Sequence, residues 1–256
     1  MKMKFFDVNL CIGKNPTSGI VVDVDEILCK MKELNIEKAV VYHILQRYAH
    51  PVDAYKFLIN AIEGKDALYG IVPVLPTSTE EMEKIDFKVF KKHKIVGCAF
   101  LPRVHRYVFH TDVVGDILSE LEARNFPVFL DMMAEFLIGG FSYDIRDLYN
   151  TLVDFPKLTL ILYNLGIWNS DRYTWPLLEK YENVYLESSL VSLWEGGMEE
   201  AVKKFGAERI VFGTGFPDRY MESPLLKLVH AEISEEDKEK IAYKNIEHLI
   251  GRIRYE

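Results

Sequence analysis

The chain has 256 residues, of which 49% are hydrophobic, and a formal net charge of −8. That length buries a sizeable core, as one large α/β barrel or as two small domains. The negative balance argues against general binding to nucleic acid or anionic membranes, since both recruit phosphates with a basic surface.

Cys11, Cys29 and Cys98 are isolated thiols without CxxC spacing. Met1-Lys2-Met3-Lys4 runs straight into a strand and lacks the apolar core of an export signal. A cytoplasmic location with no disulfide framework is therefore the expectation. No apolar run approaches the length needed to span a bilayer.

Short runs rich in Val, Ile, Leu and Phe recur at about residues 4–9, 37–43, 67–74, 95–101, 127–132, 158–163, 183–188 and 209–214. Near-continuous apolarity over so few residues predicts strands buried on both faces, as in a parallel sheet. After the first strand, Val24, Ile27, Leu28, Met31 and Leu34 recur at helical spacing, with Asp23 or Asp25 as cap. After Thr111, a second stripe is formed by Val113, Val114, Ile117, Leu118 and Leu121. The last helix starts at a capping-box-like Ser234 and Asp237, buries Ile241, Ala242, Ile246, Leu249 and Ile250, and ends at Gly251.

This alternation, with no linker or low-complexity stretch, predicts a single domain over residues 1–256, an α/β fold of the (β/α)8 TIM-barrel kind. An open doubly wound sheet fits less well, because Ile12-Gly13-Lys14 is not a glycine-rich phosphate loop. In a barrel, function sits where strands run into the following loops. That selects Asn9, Cys11, His43, Arg103, His105, Asp131, Glu135, Asn164, Glu187, Ser189, Gly215 and Asp218. His93, His230 and His248 fall elsewhere and read as solvated.

Four stretches carry a resemblance: Phe6-Asp7-Val8-Asn9-Leu10-Cys11, Leu162-Tyr163-Asn164-Leu165-Gly166, Phe212-Gly213-Thr214-Gly215-Phe216-Pro217 and Asn245-Ile246-Glu247-His248-Leu249. Together they resemble the amidohydrolase superfamily, in the amidohydrolase 2 branch related to aminocarboxymuconate-semialdehyde decarboxylase. The resemblance runs over nearly the whole chain and implies a metal-dependent-hydrolase-like barrel. It also implies two histidines at positions 9 and 11, histidines at 131 and 164, and a catalytic aspartate at 215. This chain has Asn9, Cys11, Asp131, Asn164 and Gly215 there. Asparagine ligates zinc poorly, and glycine brings no side chain to hold a metal or take a proton. The family's metal-activated water is therefore not expected.

Two site readings follow. A zinc ion could be held only in a non-standard way, by Cys11, Asp131, His43 and His105, which lack a recognised spacing; Cys11 as a small packing residue is the plainer reading. Alternatively the site is metal-free, with Asp131, His105 and Glu135 as catalytic groups and Arg103 gripping an anionic substrate. His43, Asn9, Cys11, Asn164 and Asp218 would line the ligand, and Cys11 with His43 is a minor nucleophile–base option. Trp168, Trp175, Trp194, Tyr173 and Phe216 either form an aromatic wall or pack against the rim. The functional expectation is a hydrolase or lyase acting on a small carbonyl or carboxylate compound. The alternative is a non-catalytic homologue that binds a small molecule or a protein partner. Barrels of this group resemble dimer-formers, which allows a homodimer, although the sequence itself does not fix the oligomeric state.

Overall fold

The computed structural model describes residues 3–16, 18–48, 51–76, 86–132, 145–165, 170–190 and 197–256, with backbone alone at 51–52, 170–173 and 190. Its strands are β1 (Phe5–Lys14), β2 (Val21–Val22), β3 (Ile36–His43), β4 (Leu68–Pro73), β5 (Ile95–Phe100), β6 (Val128–Asp131), β7 (Leu160–Tyr163), β8 (Val184–Glu187) and β9 (Ile210–Val211). Their order is β2-β1-β3-β4-β5-β6-β7-β8-β9. All neighbours are parallel except β2, which adds a short antiparallel hairpin partner to the end of β1.

The sheet curls until its first and last parallel strands meet. Val8 N–H donates to the Phe212 carbonyl at 2.9 Å, Gly215 N–H to Asn9 at 3.0 Å and Cys11 N–H to Phe216 at 2.9 Å. These bonds make the fold a (β/α)8 barrel. Helices follow most strands in the chain order that the sequence predicts, and β2 is the strand it did not show. Asp23 caps the helix Val24–Leu34, accepting from the N–H groups of Asp25 and Glu26, and Ile27 and Met31 face inward. Among the described residues, no helix is long and apolar enough to cross a membrane.

Apolar side chains form two layers. Ala39, Val41, Val128, Leu130, Leu160 and Leu162 pack outward against the helices. Phe6, Val8, Val40, Tyr42, Phe129, Ile161, Tyr163, Tyr185 and Val211 fill the interior. Strand alternation produces this split and also sorts the polar strand ends. Asp131 follows Phe129 by two residues and Glu187 follows Tyr185, so both belong to the interior row.

The predicted final helix is interrupted. A helix over Glu235–Glu239, capped by Ser234, passes through a π-helical turn at Lys240–Lys244 into a helix at Asn245–Gly251. The Ile241 carbonyl accepts from Phe212 N–H at 3.1 Å. Diverting that carbonyl to the barrel wall accounts for the break in regular helical bonding. Tyr243 within the turn and Ile246 and Leu249 beyond it join the interior layer.

Candidate functional site

Three of the replaced strand ends, Asn9, Asn164 and Asp131, converge with Glu187 through hydrogen bonds. The Asn9 amide donates to Asn164 Oδ1 at 2.9 Å and to Glu187 Oε2 at 3.0 Å. Asn164 Nδ2 in turn donates to Asp131 Oδ2 at 3.1 Å. The result is a buried chain, Glu187–Asn9–Asn164–Asp131, across β8, β1, β7 and β6. A register irregularity in β1 between Asp7 and Leu10 brings Asn9 into this row. Asn164 reaches it from a left-handed backbone, φ 54°, which breaks the alternation after Tyr163.

Arg47 completes the arrangement and is the residue that sequence reasoning missed. It lies in the short helical turn Ile44–Arg47 directly after β3. Its guanidinium donates to Asp131 Oδ2 at 3.4 Å and to Asp218 Oδ2 at 3.3 Å, and lies 5.3 Å from the centre of the Tyr42 ring. The Arg47 side chain is 12% exposed and that of Asp131 3%. Burial opposes the guanidinium's charge, but Tyr42 and Asp131 outweigh it and hold the group protonated. Its place just after a predicted strand end was visible in the sequence, but its partners were not.

Glu187 is completely buried. Burial raises its carboxyl above the ordinary value, while the Ser189 hydroxyl at 2.7 Å, the Ser189 N–H at 2.5 Å and Asn9 pull it back. Gly213 lies against it so closely that an added Cβ would meet Glu187 Oε1 at 2.2 Å. Gly215, at the position of the family's aspartate, has φ +70°, which favours glycine. Behind Glu187, burial lowers Lys227 to about 8, with Glu187 and Glu199 acting in the opposite sense.

The remaining predicted residues are distributed as follows. Cys11 pairs in register with Tyr42 and belongs to the interior layer. Burial pushes its thiol up to about 12, against the pull of Arg47 and Tyr42. His43 is on the outward row with Ala39 and Val41, so β3 presents Tyr42 rather than His43 to the interior. Its Nδ1 accepts from Leu45 N–H at 3.3 Å, and its ring stacks on Phe57 at 5.4 Å. Burial lowers its pKa. Cys11 and His43 are thus not brought together as a pair. His105 ends the short helix Pro102–His105, which also carries Arg103, and its Nε2 lies 2.7 Å from the Gln46 carbonyl. The structure therefore joins His105 to the turn that carries Arg47. Asp218 joins the site through Arg47.

Glu135 lies outside the described residues, as do Trp168 and Trp194 and the side chain of Tyr173. Trp175 packs edge-on against Phe205 at 5.3 Å, and Lys30 lies over Phe216 at 5.3 Å, so these two rings serve the outer layer. Among the described residues, no group of three His, Cys, Asp or Glu side chains stands ready to hold a metal ion.

A parallel barrel with polar strand ends gathered at one mouth is the (β/α)8 architecture, in which functional sites are built from the loops after the strands. The family model described as Amidohydrolase matches residues 50–252. The chain belongs to that family, although the matched region begins after Asn9, Cys11 and Arg47. No curated protein matches the chain. Solved structures do match over nearly full length. An uncharacterised TIM-barrel protein from Bordetella bronchiseptica is 16% identical with a TM-score of 0.72, covering 98% of this chain and 99% of its own. The 5-carboxyvanillate decarboxylase of Novosphingobium aromaticivorans, complexed with manganese and 4-hydroxy-3-methoxy-5-nitrobenzoic acid, is 11% identical with a TM-score of 0.74, covering 98% and 96%. The 2,6-dihydroxybenzoate decarboxylase from Rhizobium is 13% identical with a TM-score of 0.72, covering 97% and 99%. At these identities the likeness concerns the fold.

Proposed function

We propose that the barrel mouth binds a small carboxylate or carbonyl compound and acts on it as a lyase or hydrolase without a resident metal ion. The observation that carries this reading is the buried Asp131 carboxylate, oriented by Arg47 and Asn164 at the end of β6. Both partners donate to it, so Asp131 faces the mouth as an acceptor, the form that takes a proton. Family membership and the decarboxylases among the structural relatives support the substrate class.

The Novosphingobium relative was solved with manganese. The residues here do not fit such an ion. Asp131 and Glu187 already accept from Arg47, Asn164, Asn9 and Ser189. The buried Cys11 thiol stays protonated at neutral pH, and Gly215 brings no side chain. A divalent ion beside Asp131 would also face the guanidinium charge.

The test is a turnover screen on hydroxybenzoate-type carboxylates with the full chain, read as loss of substrate absorbance. Excess chelator is expected to leave the rate unchanged, and Asp131→Asn to abolish it while the melting temperature stays within a few degrees. A rate that vanishes on chelation would remove the metal-free reading, and an unchanged rate in Asp131→Asn would remove Asp131 from the chemistry.

One observation favours a second reading, a non-catalytic barrel that binds a small molecule. Asp131 and Asp218 are both already engaged by Arg47, which ties these charges up in ion pairs. Saturable ligand binding with no turnover across the same screen would support it.

A further inference from the structure

We infer that the Arg47 guanidinium is the resident cation of this barrel mouth, taking the place at which metal-binding relatives carry their ion and excluding divalent metals by its charge. This rests on the metal-free reading above and deepens it. The guanidinium bonds Asp131 directly, and through it the chain to Asn164 and Asn9. Tyr42, whose ring lies under Arg47, is the register partner of Cys11. One positive group thus touches, directly or through the intervening side chains, four of the positions that the resemblance assigns to metal chemistry.

The turn holding Arg47 is fixed from both sides. His43 accepts the N–H of Leu45, and His105 Nε2 bonds the Gln46 carbonyl at 2.7 Å. These histidines are positioning residues for the guanidinium, which gives both a purpose other than ligation. The charge balance points the same way. Arg47 stands between two carboxylates, Asp131 and Asp218. Removing it takes a shared cation from both carboxylates, and the buried Asn9 Oδ1 is unbonded among the described residues. Carboxylate and amide oxygens are the donors that hard divalent ions such as Mn2+ accept.

The probe is Mn2+ alone, measured by equilibrium dialysis and by loss of the free-ion paramagnetic resonance signal, on the full chain and its variants. Wild type and Arg47→Lys, which keeps the positive charge, are expected to show no saturable Mn2+ uptake, because the ion would meet a like charge. Arg47→Gln is expected to take up Mn2+ at least tenfold more tightly than wild type. Should Arg47→Gln not fold, Arg47→Met carries the same comparison, because an apolar side chain of similar length is tolerated where a buried charge stood. Equal, negligible uptake by wild type and the folded uncharged variant would overturn the inference while leaving the metal-free reading intact. Stoichiometric uptake by wild type would overturn both.

Discussion

The Asp7 carboxylate takes both donors of Thr214, its backbone N–H at 3.0 Å and its hydroxyl at 2.5 Å. This pair ties β1 to the segment after β9 where the barrel closes, just beneath the Asn9–Glu187 bond. Burial raises the Asp7 carboxyl to about 7, with the Thr214 and Asn9 donors pulling it down. The folded value lies above that of the unfolded chain. Between the ordinary carboxylate range and about pH 7, the native state therefore holds a proton that the unfolded chain has released. Stability from this group is full below that window and is lost as pH rises through it. Urea midpoints for wild type are expected to fall between pH 5 and 7.5, and Asp7→Asn should flatten the dependence. Identical slopes in the two proteins would count against it.

Asn9 is the hub of the polar chain, so its loss should exceed that of an average side-chain bond. Asn9→Ala removes the bonds to Asn164 and Glu187 and leaves a buried carboxylate short of a donor. The expected cost is about 2–4 kcal/mol, the sum of one neutral bond and one bond to a charged group. Chemical denaturation checks it, and a loss well under 1 kcal/mol would mean that the chain relaxes around the gap.

Gly213 leaves no room for a side chain beside Glu187. Gly213→Ala is expected to destabilise by about 1–3 kcal/mol through overpacking. Gly251→Ala, where an added Cβ meets nothing within 4 Å, is expected to be neutral or slightly stabilising. Melting temperatures of the two variants should therefore move apart, and similar shifts would refute the packing account.

The three thiols should differ sharply in reactivity. Cys29 is exposed, whereas Cys11 and Cys98 are buried and burial raises both of their pKa values. A disulfide reagent at neutral pH is expected to label Cys29 rapidly and the other two only after unfolding. Fast labelling of Cys11 in the native protein would contradict its interior placement.

Strand positions were legible because a buried parallel sheet leaves uninterrupted apolar runs, and Asp131 and Glu187 followed from strand ends. His43 shows where that reading stops. Its place at the end of β3 was right, but alternation puts it on the outward face beside Ala39 and Val41. Arg47 was hidden because its role depends on the path of a four-residue turn and on Asp131 and Asp218, 84 and 171 residues away. Such distant charge pairing leaves no periodic trace. The same holds for the π-helical turn, which arises from a carbonyl claimed by Phe212 rather than from any local preference.

The seam between β1 and residues 212–216 has a consequence for synthesis. A chain leaving the ribosome presents β1 long before its N–H partners at Phe212 and Phe216 are made. At translation rates of about 5–20 residues per second, that wait is on the order of ten to forty seconds. Throughout it, β1 and the newest strand are both open edges able to pair with other chains. Closing the ring is thus a late event, and ribosome-bound chains stalled before residue 210 should be markedly more prone to aggregate than released ones.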